Sequence, residues 1–269
     1  MAENGNPGED DDGDRCAFHA REHPGPQVVP YCLEDVVATW NSYNASQGRQ
    51  ERPQRDIVSP EEFKAARAQL LQDEKAVTYL SQAVVAARRR LPMVKVDDPV
   101  RFCFDTLHGE QSLLDLFDGR KQLIIYHVML ATEDDSHGGI AHAFCMDHIP
   151  PLQYLHSRDT SFVAVAPAPL QKISDHATRL GWRFPFHSST KTHQAWKHAE
   201  AKGETITWKP GNGCFGVSVF IREEDQVFHT YETSDRGVEA ILSTYLLLDM
   251  TPLGRQEEGD DMDRFRLPR

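Results

Sequence analysis

Thirteen histidines are the residues of this chain best equipped for chemistry, and four of them share one stretch. His127, His137, His142 and His148 all fall within residues 121–152. A neutral imidazole ligates copper, iron or zinc, and it also moves protons near neutral pH. Three or four converging imidazoles would hold a transition metal, and His137, His142, His187, His193 and His229 form the candidate ligand set. Asp134, Asp135 and Asp147 could add a carboxylate, or accept from the second ring nitrogen of a ligand. Copper or iron would bring dioxygen chemistry, and zinc would bring an activated water. The catalytic candidates are His127 and His142 as acid–base groups and Tyr231 as a hydroxyl that orients a polar substrate. Tyr231 and His229 are two residues apart on an expected strand, which places them on one face. The spacings alone are weak evidence. No H-x-H, H-E-x-x-H or H-x-x-x-H pair occurs within residues 121–152.

The elements that must position these groups follow from hydrophobic patterning. Leu123, Ile124, Ile125 and Tyr126 read as a buried strand ending at His127. A polar loop over residues 132–139 follows, then a helical pattern over 140–149 that Pro150 and Pro151 stop. A strand that enters a glycine-containing loop and then a helix is a common place for a site in an α/β sheet. Ser59, Pro60 and Glu62 form a capping box with proline at the first helical position. Phe63, Ala66, Leu70, Val77, Leu80 and Val84 then predict a long amphipathic helix lying on the domain.

Short strands are expected at 93–96, 100–104, 161–165 and 182–186, and helices at 111–117, 170–180 and 237–248. Gly181 serves as the C-cap of the second of these helices. Residues 215–222 and 226–232 alternate as a β-hairpin around Glu223, Glu224 and Asp225. A parallel sheet closed by an antiparallel hairpin and a last helix is the plan of the thioredoxin fold.

Composition narrows the partners. The chain has 269 residues and a net charge of −12, and residues 1–14 hold six acids and no basic side chain. That balance argues against nucleic acid. Five scattered cysteines, none in a C-x-x-C pair, fit a reducing, cytoplasmic setting without structural disulfides. No membrane span or secretory leader is read in the chain. Residues 211–216 spell G-x-G-x-x-G, but these glycines precede a strand, so no nucleotide cofactor is expected. The domain reading is an acidic disordered tail (1–27), an extension and linker (28–58), an α/β domain with its leading helix (59–257) and a tail (258–269).

The segments EEFKAARAQLLQDEK, DLFDGRKQLIIYHVM, RLGWRFPF, GVSVFIRE, VFHTYETSDRG and LLLDMTPLGRQE are similar to the thioredoxin-like family catalogued as domain of unknown function 899. The resemblance implies a thioredoxin-like α/β fold with a long amino-terminal helix. That family commonly carries Gly-Cys-x-x-Cys between the His-containing strand and the helix. This chain instead reads Gly138-Gly139-Ile140-Ala141-His142, so glycine and histidine stand where the cysteines would be. Dithiol–disulfide exchange needs a thiolate at that place. Imidazoles around a vacated dithiol crevice point to a His-ligated, metal-dependent oxidoreductase acting on a small organic molecule. The alternatives are a metal-free acid–base enzyme (cyclase, isomerase or dehydratase) and a non-catalytic binding module. Trp182, Trp196 and Trp208, with Phe184, Phe186 and Phe215, are candidate walls of an apolar pocket. A homo-oligomer is compatible with all three readings.

Overall fold

In a computed structural model, residues 55–130, 144–210 and 215–256 are described. The acidic tail, most of the 28–58 extension, the 132–139 loop with His137, the position of His142, and the carboxyl tail lie outside them. All the described residues belong to the compact unit Glu51–Arg269.

Ser59 opens helix α1, Pro60–Arg88, with both halves of the capping box formed. Its Oγ accepts from the Glu62 backbone N–H at 3.2 Å, and Glu62 accepts in return from the Ser59 N–H at 2.9 Å. The expected packing of α1 on the domain is not found, because none of its residues is buried. Strand β1 is Val94–Lys95, and a 3-10 turn, Pro99–Arg101, takes the first residues of the strand expected at 100–104. Strands β2 (Cys103–Thr106) and β3 (Gly109–Ser112) make a tight hairpin. The expected helix at 111–117 is the end of β3 followed by a 3-10 turn, Asp115–Phe117. There Asp115 accepts from the backbone N–H and the hydroxyl of Ser112, which starts a turn in place of a helix.

Strand β4, Gln122–His127, is the expected central strand. Residues 144–146 are helical, and a short helix α2, Gln153–His156, leads into β5, Thr160–Ala166. Helix α3 is Leu170–Leu180, and Gly181 caps it at φ 75°, a conformation that glycine adopts without strain. The strand expected at 182–186 starts only at Phe186, because Pro185 cannot donate to a ladder. It runs as β6, Phe186–Ser188. Helix α4, Thr190–Ala201, was not anticipated. It buries only Thr192, Trp196 and Ala199, too thin an apolar stripe to stand out among lysines and histidines. The hairpin of β7 (Gly216–Glu223) and β8 (Gln226–Ser234) matches the alternation read from sequence. The final helix splits into a 3-10 segment, Asp235–Ile241, and α5, Ser243–Leu248.

The strands form one sheet in the order β1-β8-β7-β4-β5-β6-β2-β3. β4, β5 and β6 are parallel, β7 is antiparallel to β4, and β8 is antiparallel to β7. With helices between the parallel strands and after the hairpin, this is a thioredoxin-like α/β fold. Alternation along β4 sorts the core. Leu123 and Ile125 pack with Phe102, Phe104, Val165, Trp196, Trp208 and Phe220 on one face. Tyr126 packs with Phe144, Phe162, Ala164, Ile173 and Tyr245 on the other. All seven residues of β5 are buried, as a strand covered on both faces requires. No described helix is long and apolar enough to cross a membrane.

Candidate functional site

His127 ends β4 and shares the face of Leu123 and Ile125, where it is only 3% exposed. Its Nε2 lies 2.9 Å from the Ser218 hydroxyl, which donates its one hydrogen to the Trp208 carbonyl at 3.0 Å. Ser218 can therefore only accept from the imidazole, and the ring's proton sits on Nε2. Nδ1 then carries a lone pair, buried and with no hydrogen-bond partner. Trp196 and Trp208 wall the ring at centroid distances of 6.0 and 6.4 Å and meet each other edge-on at 4.9 Å. Burial, reinforced by His193 and His229, lowers the His127 pKa to about 3. The site thus holds a neutral imidazole with one fixed tautomer and one unused lone pair.

His193 lies on α4 with its ring 4.4 Å from Trp196. Its Nδ1–H donates to the Ser189 carbonyl at 3.0 Å, leaving the lone pair on Nε2. Burial lowers its pKa as well. His229 is different, because both of its nitrogens are engaged. Nε2–H donates to the Tyr231 carbonyl and Nδ1 accepts from the Thr207 hydroxyl, each at 3.0 Å. No lone pair is left for a metal.

His229 and Tyr231 do not share a face. The ladder slips between Val219 and Phe220, so His229 pairs with Phe220 and Tyr231 with Val219, and Thr230 is the extra residue of a bulge. His229 turns to the His127 face, and Tyr231 lies on the other, under the Arg88 guanidinium at 4.4 Å. Of the expected catalytic set His127, His142 and Tyr231, His127 and Tyr231 therefore lie on opposite faces of the sheet, and His142 lies outside the described residues.

His187 pairs with Val165, and Val165 pairs with His127. The two histidines share a row and a face, two strand spacings or about 10 Å apart. Burial lowers the His187 pKa to about 4. Asp147 accepts from the Trp182 indole N–H at 2.8 Å, and His148 is held by the Phe144 carbonyl and the Thr244 hydroxyl, both at 2.6 Å. These contacts occupy both side chains. Among the described residues, no group of three or more His, Cys, Asp or Glu is placed to hold a metal.

The proposed pocket aromatics divide between two places. Trp196 and Trp208 surround His127, whereas Trp182, Phe184 and Phe186 line a cleft of about 500 Å³ beside the start of β5. Its polar walls include His108, Arg183 and His187, and His127 is not among them. Ser218 and Ser189 were missed in the sequence. The available signal for Ser218 was a hydroxyl at an inward position of an apolar strand. Of the described cysteines, Cys145 is buried, and burial, helped by Glu110, pushes the Cys103 pKa up.

Residues 52–268 match the model of a family described as bacterial protein of unknown function (DUF899), and the chain belongs to that family. No curated protein matches the chain. Among solved structures, the bacterioferritin comigratory protein of Xanthomonas campestris, described for alkyl peroxide reduction, is 15% identical with a TM-score of 0.36. That match covers 57% of this chain and 96% of that one. PrxQ of Xylella fastidiosa is 11% identical with a TM-score of 0.33, covering 58% and 94%. A hypothetical protein of Sinorhizobium meliloti 1021 is 12% identical with a TM-score of 0.31, covering 54% and 74%. Likenesses at this level carry no argument about activity.

Proposed function

We propose that this member of the DUF899 family is a His-ligated, metal-dependent oxidoreductase acting on a small organic molecule, with His127 as the anchoring ligand. One observation carries the reading: the buried, unpartnered Nδ1 lone pair of His127, whose tautomer Ser218 fixes through the opposite nitrogen. A metal-binding histidine needs that arrangement, with a neutral ring, one bare nitrogen and the other N–H held by an acceptor. His193 supplies a second imidazole with an uncommitted nitrogen, its ring 4.4 Å from that of Trp196. His137 and His142 lie in the segment joining Leu130 to Phe144 and remain the proposed further ligands. Copper and iron suit such nitrogen donors and support oxidative chemistry; zinc would suit them equally and support an activated water.

The metal-free acid–base reading is less well supported, because a histidine with a pKa of about 3 is a poor proton acceptor at neutral pH. The aromatic-walled cleft supports a small-molecule ligand, and the cysteine side chains of Cys103 and Cys145 fit a cytoplasmic setting. The test is the metal content of protein purified without an affinity tag. Near-stoichiometric copper, iron or zinc, lost in His127→Ala, supports the proposal. Traces only in the wild type, or full metal in His127→Ala, would overturn it.

A further inference from the structure

Helix α1 carries an apolar surface that no other described residue buries. It has 29 residues, none buried, and is about 43 Å long. Phe63, Leu70, Val77 and Val84 are 63%, 52%, 67% and 50% exposed and recur every seven residues. Ala66, Leu80 and Ala87 occupy the positions three residues after Phe63, Val77 and Val84, and Asp73 follows Leu70. A seven-residue repeat of this kind keeps its apolar seam aligned only against a second helix that winds around it. Four such repeats are enough for a coiled coil, and an apolar row this long that no other described residue buries marks an interaction site.

The charges along α1 select the partner and its direction. Glu61 and Glu62 open the helix, Arg88 closes it, and Arg89 and Arg90 follow. Two copies side by side in parallel would stack acid on acid and base on base, and would set Asp73 against Asp73 in the seam. Run antiparallel, they bring Glu62 of each copy to Arg90 of the other, and their helix dipoles oppose. That register also sets Phe63 opposite Ala87, Ala66 opposite Val84, Leu70 opposite Leu80 and Asp73 opposite Val77. Phe63 and Val84 meet alanines, Leu70 meets Leu80, and the arrangement is its own two-fold mate. We infer that α1 docks antiparallel on the α1 of a second copy of this chain, making a symmetric homodimer. The Arg88 guanidinium over the Tyr231 ring ties the carboxyl end of this helix to β8.

Sedimentation equilibrium of the full chain tests this. The wild type is expected at twice 30.5 kDa at tens of micromolar. The double change Leu70→Glu/Leu80→Glu should weaken the dimer about 100-fold or more while the melting temperature of the diluted monomer stays unchanged. Gln72→Glu/Gln82→Glu, outside the seam, should leave the dimer intact, and Asp73→Leu should tighten it. A monomeric wild type, or a dimer indifferent to the two glutamates in the seam, would overturn the inference. So would a monomer in which residues 28–58 shield Leu70 and Leu80 from hydrogen exchange, since the seam would then have a different occupant.

Discussion

Acid should destabilise this protein through His127 in a way that one substitution removes. The ring is buried and its folded pKa lies near 3, against an ordinary value of 6.5. Above 6.5 neither state holds the extra proton and the full stability is present. As the pH falls, the unfolded chain takes up the proton and the folded chain does not, so stability is lost until the pH reaches about 3. At pH 5 the loss from this residue is about 2 kcal/mol, and by pH 3 it is about 4 kcal/mol. His187, with a folded pKa near 4, and His193 and His229, both lowered by burial, add slopes of the same sign. The informative quantity is therefore the difference between wild type and His127→Phe, which keeps a ring in the Trp196–Trp208 cage and removes the titration. Urea unfolding of chelator-stripped protein, followed by tryptophan fluorescence at pH 7.5 and pH 5.0, measures it. The variant starts lower, for want of the Ser218 bond, but should lose about 2 kcal/mol less than wild type between the two pH values. Equal losses in both proteins would mean that His127 is not held neutral, and the reasoning about the site would fail.

Other perturbations should be equally legible. Ser218→Ala leaves the His127 Nε2–H buried without an acceptor and should cost about 1–3 kcal/mol, read by urea unfolding at pH 7.5. The same change should weaken metal binding about 10-fold or more, seen in competition with a chromogenic chelator, because the tautomer is no longer fixed. Gly216 pairs with His127 across β4 and β7, and a Cβ there would meet the Thr233 carbonyl oxygen at 2.6 Å. Gly216→Ala should therefore lower the thermal midpoint, at a cost of about 1–3 kcal/mol, whereas Gly203→Ala, with no atom within 4 Å, should show only backbone strain at its positive φ.

The sheet was largely legible because its signals are local. The run from Leu123 to Tyr126, the alternation of β7 and β8, and the Gly181 cap each declare themselves within a few residues. What sequence could not supply depended on partners far along the chain. The bulge at Thr230 reversed the face of Tyr231, and no residue type announces it. The saturation of His229 required Thr207, twenty-two residues away. The cage around His127 drew Trp196 from a helix with too few apolar residues to be seen, and Trp208 from a loop. The exposure of α1 was misread for the opposite reason. Its apolar spacing fits a sheet and a second helix about equally well, and the every-seventh-residue recurrence of Phe63, Leu70, Val77 and Val84 is the sharper clue.

The claim on which the functional reading turns is that His127 offers a bare Nδ1 to a metal. Nitrogen-resolved NMR of histidine-labelled, chelator-stripped protein, with His127 assigned by its loss in His127→Phe, tests this during a zinc titration at pH 7. The expected spectrum shows a neutral ring protonated on Nε2 before metal, and a shift of Nδ1 on zinc addition while the Nε2 proton stays in place. A proton on Nδ1, or an Nδ1 signal that ignores stoichiometric zinc, would contradict it.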